Sequence, residues 1–229
     1  MPPWLWIAFC WAGFACTHLV LSSASLRPRL VARLGDDGFR GVYSVAVLAW
    51  FVALVWVFAR HKHDGPLLWT TIGPPAVAEA LNHVVMALAL ALLVAGLLPA
   101  HAAPSSMGAA RSERIEARGL LRITRHPFNA AAALFGVAHL LVNGHLGDVL
   151  FFAGFPLFAA IGSRHQDARL ARSRPGYGEL VATTSFVPFA AVVTGRQRMV
   201  ARELPWGGLA AGVLAAIALR HWHGALFGP

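Results

Sequence analysis

Charge is scarce in this sequence. Asp, Glu, Lys and Arg make up 13% of its 229 residues, against about a quarter in an ordinary soluble domain. So few charges exclude a water-soluble monomer. Cysteine is scarcer still. Cys10 and Cys16 lie six residues apart in one apolar run, so they do not share a helix face closely. That spacing argues against a disulfide framework or a paired-cysteine zinc site. A P-loop, a dinucleotide-binding glycine fingerprint and a serine-hydrolase elbow are also missing. The N-terminus lacks the basic lead of a cleaved signal peptide, so residues 4–21 are expected to stay in the membrane.

What the sequence has instead is apolar length. Hydrophobic residues account for 57% of the chain and the mean hydropathy is +0.60. Runs of roughly 17–22 residues, apolar on every face, read as membrane spans rather than amphipathic helices. Six are expected, at Trp4–Leu21, Val42–Ala59, Val77–Leu98, Phe128–Val142, Val149–Ile161 and Trp206–Leu219, the fourth and fifth being short. Prolines and tryptophans punctuate their starts, as helix first turns and interfacial aromatic belts require. Phe186–Val193, broken by Pro188, is too brief to span and is expected at the interface. The fold class is therefore an all-α polytopic membrane helical bundle of about six helices, forming one domain over residues 1–229.

The basic residues set a topology. With six spans, sixteen of the nineteen Lys and Arg fall in the first, third and fifth connections, and only Arg60, Lys62 and Arg220 fall on the other side. By the positive-inside rule the sixteen are cytoplasmic and both termini point outward. The same rule accounts for the net charge of +9 without a nucleic-acid partner. The expected partner is the lipid bilayer.

Eleven histidines in so apolar a chain call for a reason, because ionisable groups in membrane segments are costly. The topology places His18, His101, His126 and His165 near the cytoplasmic face and the other seven in the outer half. His18 ends the first span and His165 follows the fifth, so two helices present imidazoles at similar depth. That is the arrangement a bis-imidazole haem needs, with Arg27 among the arginines able to meet its propionates. A hydrogen bond to a neighbouring helix, or a seat among headgroups, is the plainer alternative. His83 and His139 form a second metal-ligating candidate pair in the outer half. Gly119–Pro127 concentrates charge at the start of the fourth span, where Arg125 and His126 could meet an anion or a cofactor, and its stretch Arg114–Ile123 reads as amphipathic. Asp167 is placed to sit beside an arginine or to orient an imidazole.

Several ordered pieces resemble the NnrU family of bacterial membrane proteins, whose relatives include the plant zeta-carotene cis isomerase. They are Phe14–His18 with Leu26-Arg27, Phe39–Ser44, His61–Gly65 with Leu68-Trp69, Leu121–Pro127, Ala138–Gly144, Arg164-His165 with Asp167, and Thr184–Ala190 with Gly195-Arg196. The resemblance implies a bacterial inner-membrane protein. In the isomerase branch it implies haem b with His18 and His165 as axial ligands, and cis-to-trans rotation of a polyene without net redox change. The NnrU branch implies a place in denitrification, where haem iron could bind nitric oxide. Two alternatives use the same residues differently. A membrane S-adenosylmethionine-dependent methyltransferase would use Arg125-His126-Pro127 with Tyr177 and Glu179, and a non-catalytic accessory subunit would use the histidines for packing.

Overall fold

Proline sets where four of the long helices begin. Pro3, Pro75 and Pro127 occupy first turns, where a missing N–H costs no hydrogen bond, and Pro205 caps a fourth helix. The computed structural model describes residues 2–98 and 116–228. In chain order the elements are α1 (Pro3–Leu21), α2 (Leu26–Arg60), β1 (Leu67–Trp69), α3 (Pro75–Leu97), α4 (Leu120–Ile123), α5 (Pro127–Leu140), β2 (Gly144–His145), α6 (Leu146–Ser173), α7 (Tyr177–Thr183), α8 (Ala190–Val193), a 3-10 turn (Ala201–Glu203) and α9 (Trp206–Phe227).

Each expected span corresponds to one helix. Five of them, α1, α2, α3, α6 and α9, are long and apolar enough to cross a membrane, and α5 is a shorter apolar helix. The chain is a multi-pass membrane protein with an all-α fold. Two boundaries differ from expectation. The second helix starts at Leu26 rather than Val42, because the arginine-bearing connection is itself helical and bends at Gly35, whose φ of 72° is left-handed. The fifth, expected to be short, continues through Arg164–Ser173 to a length of 28 residues. Among the described residues, the stretch expected to be amphipathic gives only the four-residue α4, which buries Leu120, Leu121 and Ile123. His101, Arg111 and Arg114 lie outside the described residues.

The helices pack as a row in the order α9, α3, α5, α6, α1, α2. In lipid, apolar burial drives little helix association, so the row depends on close approach at small residues. A Cβ added at Gly212 of α9 would lie 2.4 Å from the Leu90 carbonyl of α3, and one at Gly136 of α5 would lie 2.3 Å from the Phe152 carbonyl of α6. Between α1, α2 and α6 an aromatic cluster fills the gap, with Phe58 and Phe151 stacked at 3.8 Å.

The connections close the two ends differently. At one end β1 pairs antiparallel with β2. There the buried Asp148 carboxylate accepts the His63 backbone N–H at 3.0 Å and pairs with the His63 ring at 2.7 Å, holding that residue at a φ of 58°. The Lys62 ammonium reaches the Phe227 carbonyl, so the C-terminal end of α9 shares this strand end. The opposite end carries the connections richest in arginine.

Candidate functional site

At the arginine-rich end, α1 presents Trp11, Phe14, His18 and Ser22 at spacings of three and four, which align on one helix face. That face meets α6. Gly154 makes room for the Trp11 indole, whose N–H donates to the Phe151 carbonyl at 3.1 Å. Nearer the end, the Phe158 ring lies 4.8 Å from Phe14 and 5.0 Å from His18. His165 follows Phe158 by seven residues, two helical turns, and its Nε2 lies 3.2 Å from Ser22 Oγ. Since Ser22 sits one turn beyond His18, the two imidazoles face a common corner between α1 and α6. On the His165 side a cavity of about 390 Å³ opens, lined by Ala24, Ser25, His165, Ala168, Arg169 and Arg172 and not by His18.

The His18 ring is met by a hydroxyl from α2. The Tyr43 hydroxyl lies 2.9 Å from Nδ1 and 3.1 Å from Nε2. It is therefore within hydrogen-bond reach of either ring nitrogen. The Arg27 guanidinium lies over the Phe39 ring at 5.5 Å. Arg169 Nε is buried without a hydrogen-bond partner among the described residues.

Two residues past His165, Asp167 gathers a second cluster. Its Oδ2 accepts from Arg125 Nε at 3.0 Å and from the same guanidinium's Nη2 at 2.7 Å. Its Oδ1 lies 2.8 Å from His126 Nε2 and accepts the Tyr177 hydroxyl at 2.7 Å. Arg125 also donates to the Thr184 carbonyl at 3.2 Å. Asp167 thus both pairs with an arginine and orients an imidazole, as its sequence setting suggests. Burial first, and then the carboxylate it donates to, push the Tyr177 phenol above its ordinary value, so it stays a donor. Arg125 and His126 are turned to Asp167, and His126 Nδ1 is left buried without a partner among the described residues.

A third ion pair ties the 3-10 turn to α4. Glu203 accepts from Arg122 Nε at 2.7 Å and from the Gly119 backbone N–H at 3.0 Å. The hydrogen bond from Arg122, then that from Gly119, hold the Glu203 carboxyl down at about 2. A carboxyl depressed in the folded state adds stability above its unfolded value, lost as pH falls through the folded value. Glu203→Gln is therefore expected to flatten the dependence of melting temperature on pH between about 4.5 and 2, as thermal unfolding in detergent at stepped pH would read.

The runner-up histidines lie at the strand end. His83 Nε2 accepts from Arg220 Nε at 2.8 Å, whereas His139 Nδ1 meets its own helix at the Phe135 carbonyl and its ring stacks on Phe152. Both line one cavity, together with His223. Among the described residues, no cluster of three or more His, Cys, Asp or Glu is placed to hold a metal ion.

The corner at His18 and His165 is built from residues that the family resemblance also singles out, and a direct comparison decides the family. The profile of a family described as NnrU protein matches residues 6–229. The chain belongs to the NnrU family. It is similar to the 15-cis-zeta-carotene isomerase, chloroplastic, of Arabidopsis thaliana, with 30% identity over 190 residues, covering 80% of this chain and 49% of that protein. It is also similar to the Zea mays protein of the same description, with 28% identity over 189 residues, covering 81% of this chain and 50% of the other. The chain thus spans about half the length of the curated relatives it matches. No solved structure matches it.

Set against this membership, Tyr43 and Ser22 are the site residues that sequence reasoning does not assign, whereas Arg169 is among the arginines it offers to propionates. The residues that suggest a methyltransferase are also located: Arg125, His126 and Tyr177 spend their polar groups on Asp167, and Glu179 is exposed.

Proposed function

We propose that this NnrU-family protein is a haem b-dependent cis-trans isomerase acting on a carotenoid-type polyene. The observation that carries the reading is the placement of His18 on α1 near Ser22, whose hydroxyl meets His165 of α6 at 3.2 Å, in a chain similar to 15-cis-zeta-carotene isomerases.

The residues at the corner suit that group. Two neutral-capable imidazoles on facing helices are the donor set of a bis-histidine haem. Phe14 and Phe158 provide apolar walls, and the unpartnered Arg169 Nε, with Arg27, offers cations for propionates. Haem b would supply an iron able to polarise a polyene double bond, or to lend and recover an electron, so that rotation occurs with no net redox change.

The chain's own residues do the rest. Ser22 can accept the ring proton of His165 and fix which nitrogen is free to ligate. The Tyr43 hydroxyl, within reach of both His18 nitrogens, can hold one and leave the other free to ligate. The Asp167 cluster ties α6 to α7 and to the turn before α5, so the His165 end of α6 cannot swing freely. Phe14, Phe51 and Phe155 keep water from the helix interface leading to the corner.

The same reading puts the protein in a bacterial cytoplasmic membrane with both termini outward, supported by the sixteen-to-three division of basic residues. Protein purified in detergent after haem-replete expression is expected to show a Soret band, lost or shifted in His18→Ala and in His165→Ala. Wild-type protein that stays colourless contradicts the proposal.

A further inference from the structure

A second cavity, of about 830 Å³, lies at the strand end between α3, α5 and α9. That volume is toward the upper end of the roughly 300–1,000 Å³ of small-molecule sites. It exists because α3 and α9 touch closely at only one end. Gly208 and Gly212 let α9 press on Ala91 and Ala95 of α3, and past Gly212 no glycine follows until Gly224 and the cleft opens.

The lining is graded. Met86, Leu90 and Ile217 make the deeper wall, while Glu79, Arg220 and His223 lie nearer the helix ends. Glu79 is one turn inside the start of α3, and Arg220 is two turns before the end of α9. At 5.4 Å per turn, Glu79 lies about 5 Å and Arg220 about 11 Å from the helix ends, close below the headgroup layer and within reach of it for long side chains.

The charges at this mouth are unmatched. Arg220 gives its Nε to His83, yet its terminal nitrogens have no acceptor, and no carboxylate lies within ion-pair distance, among the described residues. The bond runs from Arg220 Nε to His83 Nε2, so the guanidinium is the donor and the cation of the pair. Glu79 likewise has no hydrogen bond or ion pair among the described residues. An anion site and a cation site therefore share one cleft above an apolar floor. The cleft lies beside α9, the end helix of the row, so its border is lipid rather than protein.

We propose that this cleft holds a phosphatidylethanolamine-type lipid. The phosphate bonds the terminal nitrogens of Arg220, the ammonium faces Glu79, and an acyl chain lies along Met86, Leu90 and Ile217. A guanidinium binds phosphate by paired charge-assisted hydrogen bonds, and a primary ammonium, unlike a trimethylated one, can donate to a carboxylate. The site is separate from the His18 and His165 corner and does not depend on haem.

Native mass spectrometry of the full-length protein, delipidated and offered equal amounts of phosphatidylethanolamine, phosphatidylglycerol and phosphatidylcholine, tests it. Wild type is expected to retain phosphatidylethanolamine preferentially. Arg220→Gln weakens retention of all three about tenfold, the scale of one charge-assisted contact. Glu79→Gln abolishes the preference while phosphatidylglycerol still binds. Ile217→Trp, which fills the floor and leaves the charges intact, also lowers retention and covers the case in which Arg220→Gln does not fold. Equal retention by wild type and these variants, or no preference in wild type, overturns the proposal. So does displacement of the lipid by millimolar inorganic phosphate, which would assign the site to a soluble anion.

Discussion

Asp167→Ala is expected to destabilise the protein by about 3–5 kcal/mol, the cost of removing one partner from a buried ion pair. The Asp167 side chain is 14% exposed, Arg125 12% and His126 1%. Loss of the carboxylate therefore leaves a guanidinium, an imidazole and a phenol without their shared acceptor in a site water scarcely reaches. Thermal or denaturant unfolding in detergent reads the loss. Because Arg125 becomes the uncompensated charge, Arg125→Met combined with Asp167→Ala should cost less than the sum of the two single changes. Additive losses would mean that the two residues do not share one interaction.

Gly136→Ala is expected to cost about 1–3 kcal/mol or more, the range for overpacking a close-fitted interface. Its new Cβ would lie 2.3 Å from the Phe152 carbonyl, 2.6 Å from Pro156 Cδ and 3.0 Å from Phe155 Cβ. Backbone and a proline ring are what it meets, so no flexible side chain can move aside. The α5–α6 contact must widen, and that contact carries the Asn129–Ser163 hydrogen bond of 2.9 Å and leads to the His126–Asp167 pair. The melting temperature falls, and for a haem-bearing protein the spectrum broadens as α6 loses its single position. Gly178→Ala, with open space around its Cβ, is the control expected to change little.

The bundle was legible because lipid forces it. Continuous apolar runs started by Pro3, Pro75 and Pro127 admit no other structure in hydrocarbon, and each gave a helix close to its expected start. The ends were less legible. Leu26–Leu34 carries three arginines and reads as a loop, yet it is helical up to Gly35. Arg164–Ser173 looks like a solvated extension, but Asp167 and Leu170 fix it by contacts to α7 that lie outside any local pattern.

The site was legible by depth and not by partner. Counting charges put His18 and His165 near one face, and the structure brings them to one corner. It could not pair His18 with Tyr43, 25 residues away, or His165 with Ser22, 143 residues away. A usable signal did exist. The chain has only two tyrosines, and each meets a polar group, Tyr43 beside His18 and Tyr177 donating to Asp167. A scarce side chain that combines an apolar ring with a donor suits places where a membrane helix must satisfy one polar atom. Arg125 and His126 were legible as a charged helix start, but their common acceptor lies more than forty residues on in α6.

The central claim is tested most directly by giving chemically reduced, haem-loaded protein 15-cis-zeta-carotene in detergent without oxygen and separating the isomers by chromatography. The proposed function predicts conversion of the central cis bond to trans with product mass unchanged, and no conversion by His165→Ala. An unchanged isomer ratio with haem-loaded, reduced wild-type protein would contradict it.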